Sequence, residues 1–427
     1  MTSTPFLRTG SAALIASLGL LAGTARADDL DALTLEAAPT PAVTTASRAG
    51  DPKPLRMYAE AALGRVDQRY GLAAANSRRL SLDLVASSSL GGGWRAVLSD
   101  RLDHFRPVDA GSPDTLNSLR EAYVSWQQEG GGLIAEVGRI NLRNGPAYGF
   151  NPTDYFRDGA LRAVTTADPF ALRENRLGVV MLRAQRLWAS DTVSLALAPK
   201  LADAPSSQGL SLDLGATNAH NKALASWSHR FSDRVNTQLL WFTEAGRGSQ
   251  LGASATALLS DSLVGHLEWS RGRNPGLLAA SDTPNASQQW AAGLTFTAPG
   301  GLALTAEYAY NGGAPDRAAW DKLAASGGAP ALLDYLNTNQ THQDNASRGA
   351  WLLYVSQKSV GTKNLDLAGL VRINADDHSR LTWLELRYHF GQADAAVQWQ
   401  TSQGSALSEY GVLPYRQSLQ LLGTWYF

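Results

Sequence analysis

Apolar and polar side chains alternate along most of this chain, and the alternation restarts after each turn signal. The segment LRMYAEAALG places Met57, Ala59, Ala61 and Leu63 on one side and Tyr58 and Glu60 on the other. RRLSLDLVAS sets Leu80, Leu82 and Leu84 against Ser81 and Asp83. NLDLAGLVRIN sets Leu365, Leu367, Val371 and Ile373 against Asp366, Arg372 and Asn374. LTWLELRYHF sets Leu384, Leu386, Tyr388 and Phe390 against Glu385, Arg387 and His389. A period of two marks a strand with unlike faces. Such segments predict strands near 55–65, 76–87, 92–101, 117–128, 132–140, 173–186, 191–199, 222–231 and 234–245. Further strands are predicted near 248–259, 261–271, 287–298, 300–310, 347–357, 363–374, 377–389, 391–401 and 415–427.

The connections sort by parity. After the second, fourth, eighth, tenth, twelfth and sixteenth strands come SSLGGG, EGGG, SD, SD, PGG and GQA. Most of the others are long, including 141–172, 200–221, 272–286, 311–346 and 402–414. Short turns on one side, long loops on the other and an even strand count are the pattern of bacterial outer-membrane barrels. The less apolar face carries Glu60, Asp83, Arg95, Glu121, Glu268, Glu307, Asp366, Arg372, Glu385, Arg387 and Asp394. Unpaired in a dry core, these charges would be prohibitive; facing a water-filled lumen they are tolerable, while the other face meets lipid and a closed barrel leaves no strand edge. The expected fold is therefore all-β: one transmembrane antiparallel up-and-down β-barrel over 55–427, of eighteen strands with sixteen as the alternative count. Its short turns are periplasmic and its long loops face the surface.

The amino-terminal end supplies the compartment. A weakly basic start with Arg8, the apolar run SAALIASLGLLAG and small residues at Ala25 and Ala27 form a signal peptide over 1–27, cleaved near Ala27. The segment 28–54, acidic and rich in Pro, Thr and Ala, reads as a disordered periplasmic tail. The chain has no cysteine, which excludes disulfides, cysteine-ligated metals and a lipidated N-terminal Cys. Cleavage removes Arg8 and Arg26 and takes the formal charge from −1 to −3, so nothing suggests a nucleic-acid partner.

The chain ends SLQLLGTWYF. Phe427, Trp425, Leu421 and Leu419 share one face, and Tyr426, Thr424, Gln420 and Ser418 the other. This ending resembles the C-terminal aromatic strand of outer-membrane barrels of the porin type. The resemblance implies that Phe427, Trp425 and Leu421 serve as an assembly signal for the barrel-insertion machinery and that the last strand closes against the first. It also implies localisation to the outer membrane of a Gram-negative bacterium, with lipid and lipopolysaccharide as surroundings. Gly138–Arg139, Gly145 and Asn151–Pro152–Thr153–Asp154 resemble a GR…G…NPxD element of poorly characterised proteobacterial outer-membrane barrels. In general porins the third surface loop folds inward and narrows the pore, which implies a constriction near 141–172.

Constriction and pore-lining candidates follow from charge and position. In the third loop they are Arg143, Asn151, Asp154, Tyr155, Arg157, Asp158 and Arg162; on the wall they are Arg95, Glu121, Glu307, Arg372, Glu385 and Arg387. Opposed loop acids and wall arginines would set a transverse field that orders polar solutes. A purely structural tie is the competing reading of the loop, with Asn151–Pro152 starting a turn and Asp154 capping it. The seventh loop, 311–346, carries helical spacing at Trp320, Leu323 and Ala324 and again at Leu332, Leu333 and Leu336, with a break at Gly327–Gly328.

Enzyme signatures such as HExxH, GxSxG and GxxxxGK[ST] are missing, and neither cofactor nor metal is expected. His378, between Asp376–Asp377 and Ser379, is the lone catalytic candidate and a weak one, since neighbours on a tight turn seldom converge on one substrate. The expected function is a channel for small hydrophilic solutes. The alternatives are a conduit of an export system, for a polysaccharide or an apolar molecule, and a plugged structural barrel. A homo-oligomer or a periplasmic partner stays open on sequence alone.

Overall fold

A computed structural model describes residues 54–107, 112–274 and 285–427. The expected signal peptide and the tail up to residue 53 lie outside the described residues, as does most of the sixth surface loop. The first nine strands are β1 (Leu55–Gln68), β2 (Ala75–Gly91), β3 (Trp94–Arg106), β4 (Thr115–Gln127), β5 (Leu133–Ile140), β6 (Val179–Leu187), β7 (Asp191–Ala198), β8 (Lys222–Ser232) and β9 (Val235–Glu244). The rest are β10 (Gly248–Ser260), β11 (Leu263–Asn274), β12 (Asn285–Thr297), β13 (Leu302–Asn311), β14 (Gly349–Gln357), β15 (Leu365–Asn374), β16 (Arg380–His389), β17 (Ala393–Gln403) and β18 (Tyr415–Tyr426). Each strand pairs antiparallel with its sequence neighbours, and β18 pairs with β1, so eighteen strands close into one barrel without an edge. Closure is in register from Tyr58 opposite Tyr426 to Val66 opposite Ser418, and the Phe427 N–H donates to Met57 O at 3.0 Å.

Burial runs opposite to that of a soluble protein. On β18 the apolar Leu419, Leu421 and Trp425 are 47, 52 and 52% exposed, while Gln420 and Thr424 are 3 and 2% exposed. The same reversal recurs on β1, where Leu63 is outward and Glu60 inward, and on β2, where Leu80 and Leu82 are outward and Asp83 inward. Apolar groups that pack on nothing and polar groups that turn inward describe a sheet solvated by hydrocarbon. Among the described residues no helix is long and apolar enough to cross a membrane.

Two features depart from the sequence expectation. β6 begins at Val179, because residues 169–174 form a short helix, α1 (Pro169–Glu174), so the third loop runs over 141–178. Pro at the first helical position and Asp168 as N-cap, accepting from the Phe170 N–H, turn that stretch from strand to helix. The surface connections after β9 and β15 are brief, 245–247 and 375–379, so loop length is less strictly sorted than the spacing suggested. The fourth loop (199–221) holds α2 (Leu214–Thr217). The seventh (312–348) holds α3 (Arg317–His342), two helices joined at Gly328, whose φ of 62° and ψ of −151° leave the helical region.

Candidate functional site

The third loop enters the barrel and is held there by two wall carboxylates. Glu268 on β11 and Glu307 on β13 point inward and are 0 and 2% exposed. Glu268 accepts from the Ala147 N–H (2.6 Å), the Thr153 N–H (3.2 Å), the Thr153 hydroxyl (2.8 Å) and the Asn151 amide (2.9 Å). Glu307 accepts from the N–H groups of Tyr148 (2.7 Å), Gly149 (3.0 Å) and Phe150 (3.2 Å), and His266 Nε2 lies 3.0 Å from Oε2, the oxygen that Tyr148 also reaches. A loop segment without secondary structure has no ladder to satisfy its backbone donors, and here two side chains take that role. Gly145 passes so close that a Cβ there would lie 2.2–2.3 Å from the Glu268 carboxylate, at a φ of +89°.

Aromatic and charged contacts complete the seat. Tyr155 stacks on Phe242 of β9 with ring centroids 4.8 Å apart, and its hydroxyl lies 3.0 Å from Ser270 Oγ. Tyr148 packs against Tyr354 of β14 at 4.4 Å, in a cluster with Leu352, Leu370 and the fully buried Trp383. Asp154, itself buried, takes both arms of Arg176 (2.9 Å each) and Nε of Arg173 (3.1 Å). Burial pushes its carboxyl up, but Arg176 and Arg173 outweigh that and hold it below the usual carboxylate range. Among the described residues Asp168 has no such cation. Burial raises it to about 6, against hydrogen bonds from the Tyr148 hydroxyl (2.8 Å) and the Phe170 N–H (3.0 Å).

The surface loops lock onto this seat from above. Asp158 pairs with Arg247 in the fifth connection and with His342 at the end of α3 (2.6 Å). Arg157 reaches Asp344 (2.9 Å) and lies over the Phe150 ring, while Arg162 donates to carbonyls of Asn117 (2.7 Å), Gln208 (2.7 Å) and Ser211 (2.8 Å). Burial pushes Asp158 up, but the His342 hydrogen bond and the Arg247 charge override this and depress its carboxyl. The same hydrogen bond raises His342. The ninth loop (404–414) tucks inward beneath α3: Trp320, Leu332, Tyr335, Ala346 and Val412 form one cluster, and the Trp320 indole N–H donates to Leu407 O at 2.8 Å.

The remaining candidates lie apart from the loop acids. Arg95 donates to Ser87 Oγ (2.7 Å) near the turn end, and Arg372 donates to Asn345 Oδ1 (2.5 Å) near the surface. Arg387 is neutralised by Glu385 (2.8 Å) and Asp394 (3.7 Å), all three buried. The structure thus brings Asp154 and Asp158 to Arg176, Arg173, Arg247 and His342, and not to Arg95, Arg372 or Arg387. Arg143 pairs with Glu174 of α1 (3.1 Å) at side-chain exposures of 36 and 30%, and Glu121 accepts from the Asn141 N–H (3.4 Å) beside them. Arg143 and Glu174 are thus among the loop charges that solvent reaches.

On the wall formed by β1–β4 lies a second charge array that the candidate set omits. Arg101 reaches Asp103 (3.0 Å), Glu60 (3.1 Å) and Asp83 (3.6 Å), Arg79 pairs with Glu60, and Arg120 with Asp83 (2.6 Å). Arg120 also donates to Asn175 at the end of α1 (2.7 Å), so this wall touches the third loop as well. Strand parity already turns Arg79, Arg101 and Asp103 inward. Arg120 was hidden by the irregularity between Ser99 and Asp100, which lets both Arg120 and Glu121 face the lumen. Of the eleven charges read as facing water, Glu60, Asp83, Glu268, Glu307, Glu385, Arg387 and Asp394 are buried and bonded instead. His378 sits exposed at a turn, while its neighbours Asp377 and Ser379 accept from the backbone N–H groups of Glu409 and Tyr410, so the three do not converge.

No protein-family model and no curated protein matches this sequence. Among solved structures, the chain is similar to Acinetobacter baumannii OccAB1 at 11% identity and a TM-score of 0.55, over 87% of this chain and 96% of that one. It is similar to OccAB4 of the same organism at 8% identity and a TM-score of 0.53, over 87% and 97%. It is also similar to Pseudomonas aeruginosa OccK5 (OpdH) at 11% identity and a TM-score of 0.52, over 87% and 98%. At these identities the likeness is one of fold, and that fold is a closed, eighteen-stranded, antiparallel up-and-down barrel of porin type.

Proposed function

We propose that this chain is an outer-membrane channel of porin type for small hydrophilic solutes, with the third loop as its constriction. The observation that carries the reading is the seating of residues 147–153 on Glu268 and Glu307 inside a closed, lipid-solvated barrel. A loop anchored on the wall at β11 and β13 and bonded to β4 through Arg120 crosses the lumen and narrows it, and Arg143, Glu174 and the β4 residue Glu121 place charge beside it. Charges of both signs there fit weak ion selectivity and polar solutes. In this reading the chain is exported by the 1–27 leader and inserted through its last strand, where Phe427, Trp425 and Leu421 face lipid. The tail over 28–54 is left in the periplasm.

A plugged barrel is favoured by one observation: the inward Glu385, Arg387, Gln398, Gln400, Gln420 and Thr424 are all buried. Single-channel conductance of the refolded chain in planar bilayers separates the two readings, repeated with residues 144–170 replaced by a short Gly/Ser linker. Steady conductance that rises on replacement supports the channel. Silence from both forms sinks it in favour of the plug.

A further inference from the structure

At the surface end of the barrel the outward faces of two stretches of wall differ in kind. On β1–β3, β16 and β18 they carry Arg65, Arg78, Arg106, Arg380 and Arg416, all exposed. Pairing sets these strands side by side: Arg78 lies opposite Arg106, Arg65 opposite Leu419, and Arg380 opposite Gln403 on the intervening β17. Among the described residues two acids pair with these five arginines, Asp67 at 3.9 Å from Arg65 and Asp114 at 3.2 Å from Arg106. Arg380 spends Nε on Gln403, whereas the guanidinium groups of Arg78 and Arg416 take no hydrogen-bond or ion-pair partner among the described residues. Beyond β15, the outward positions at the surface ends of β12–β14 hold Trp290, Tyr308, Tyr310 and Trp351, with neighbouring ring centroids 4.8–5.9 Å apart. That wall ends in an ordinary aromatic girdle; the arginine wall does not.

Height places the arginines at a headgroup layer. Beneath them run the exposed Leu63, Leu80, Leu82, Leu419 and Leu421. From Leu80 to the exposed Leu90 at the opposite turn, ten residues at ~3.4 Å each, tilted by ~40°, span about 25 Å, the apolar thickness such a barrel presents. The arginines therefore begin where hydrocarbon ends, on the side of the long loops. Beside Arg416 and Gln417 an open cleft of about 780 Å³ is bordered by Gln403, Thr401, Trp399 and Tyr70, a polar roof over an apolar foot. A guanidinium suits phosphate through paired, charge-assisted hydrogen bonds, and acyl chains suit the leucine band below.

We propose that this face binds the phosphorylated sugar headgroup of an outer-leaflet glycolipid, its acyl chains lying along the leucine band. The proposal rests on the outer-membrane reading of the barrel and not on whether the lumen conducts.

The test is native mass spectrometry of the full mature chain, refolded in detergent and titrated with diphosphoryl lipid A. The parallel arms use dephosphorylated lipid A and millimolar inorganic phosphate as competitor. The expected result is at least tenfold weaker binding in R78Q/R380Q/R416Q, unchanged binding in R271Q, loss with the dephosphorylated lipid and no displacement by phosphate. Equal binding by the triple variant or by dephosphorylated lipid A overturns the site, and displacement by phosphate reassigns it to a free anion. Heat-modifiable gel mobility checks that each variant is a folded barrel. If the triple variant is not, R416Q alone must weaken binding about threefold or the site is refuted. A chain that binds the lipid through these arginines yet conducts nothing leaves this inference standing and sinks the channel.

Discussion

Replacing Glu268 by Ala is the sharpest perturbation of the loop seat. The substitution orphans the backbone N–H groups of Ala147 and Thr153 and the Thr153 hydroxyl, which now converge on one buried carboxylate at 2.6–3.2 Å, and leaves the Asn151 amide its bonds to the Ala147 and Gly145 carbonyls alone. Each buried donor left unsatisfied costs about 1–3 kcal/mol, and water entering the space vacated by the side chain returns part of it. A net loss of about 3–4 kcal/mol for the seated loop follows, equivalent to a factor of about 10² to 10³ in its opening equilibrium. Amide hydrogen exchange reads this directly, because protection of the Ala147 and Thr153 N–H groups reports local opening rather than barrel unfolding. Their protection should fall by about that factor, while the β1–β18 ladder, Glu60 opposite Thr424 for example, keeps its own. The amides of Tyr148, Gly149 and Phe150, which Glu307 holds, should follow if the segment opens as one unit. Unaltered protection at 147 and 153 with an intact barrel ladder would refute the claim that this carboxylate holds the loop.

Three further outcomes are expected. Asp154→Asn, which leaves the buried Arg176 unpaired, should destabilise the loop by about 3–5 kcal/mol in urea titrations followed by loop proteolysis. Because the Asp154 carboxyl is held low, the wild-type tie should persist down through pH ~4 and fail only below it. Asp168 behaves oppositely. Its value of about 6 means the folded loop holds an extra proton between pH ~4 and 6, so loop protection should decline as pH rises through that window and level off above it. Asp168→Asn should flatten the profile, and an unchanged slope counts against this assignment. Between the seventh and third loops, the raised His342 contributes fully below pH ~6.5 and is lost as pH climbs through its folded value. The depressed Asp158 contributes above ~3.9 and is lost only in strong acid. Exchange at the Gly159 N–H, which donates to Thr341 O, should therefore be slowest between these limits and speed up in alkali, and His342→Ala should abolish the alkaline limb.

The sequence by itself determined the barrel. Strict alternation in eighteen segments, a turn after each and an apolar face with nothing to pack on leave little but a closed sheet in lipid, because every unpaired backbone edge there is costly. Leu419, Leu421 and Trp425 against Gln420 and Thr424 already say which face is which. Strand parity is a local property of the chain, so it can be read one residue at a time. It failed where locality failed: at β6, where Asp168–Pro169 caps a helix inside an otherwise apolar run, and at β4, where an irregularity brings Arg120 inward beside Glu121.

Only the tertiary structure decided which charges meet. Asp154 and Arg176 lie in one loop and could have been guessed, but Ala147 and Glu268 are 121 residues apart, and Tyr148 and Glu307 159. Such distances along the chain carry no periodic signal, since the pairing depends on how a loop without secondary structure crosses a barrel whose circumference eighteen strands set. Burial was equally out of reach. Glu60, Glu385 and Arg387 sit at inward positions whether the lumen holds water or side chains, and it is wall residues from neighbouring strands, Arg79 and Arg101 for the first and Asp394 and Gln398 for the other two, that meet them there. The arginine face has the same origin: Arg65, Arg78, Arg380 and Arg416 are scattered over more than 350 residues and become neighbours only because β18 closes on β1.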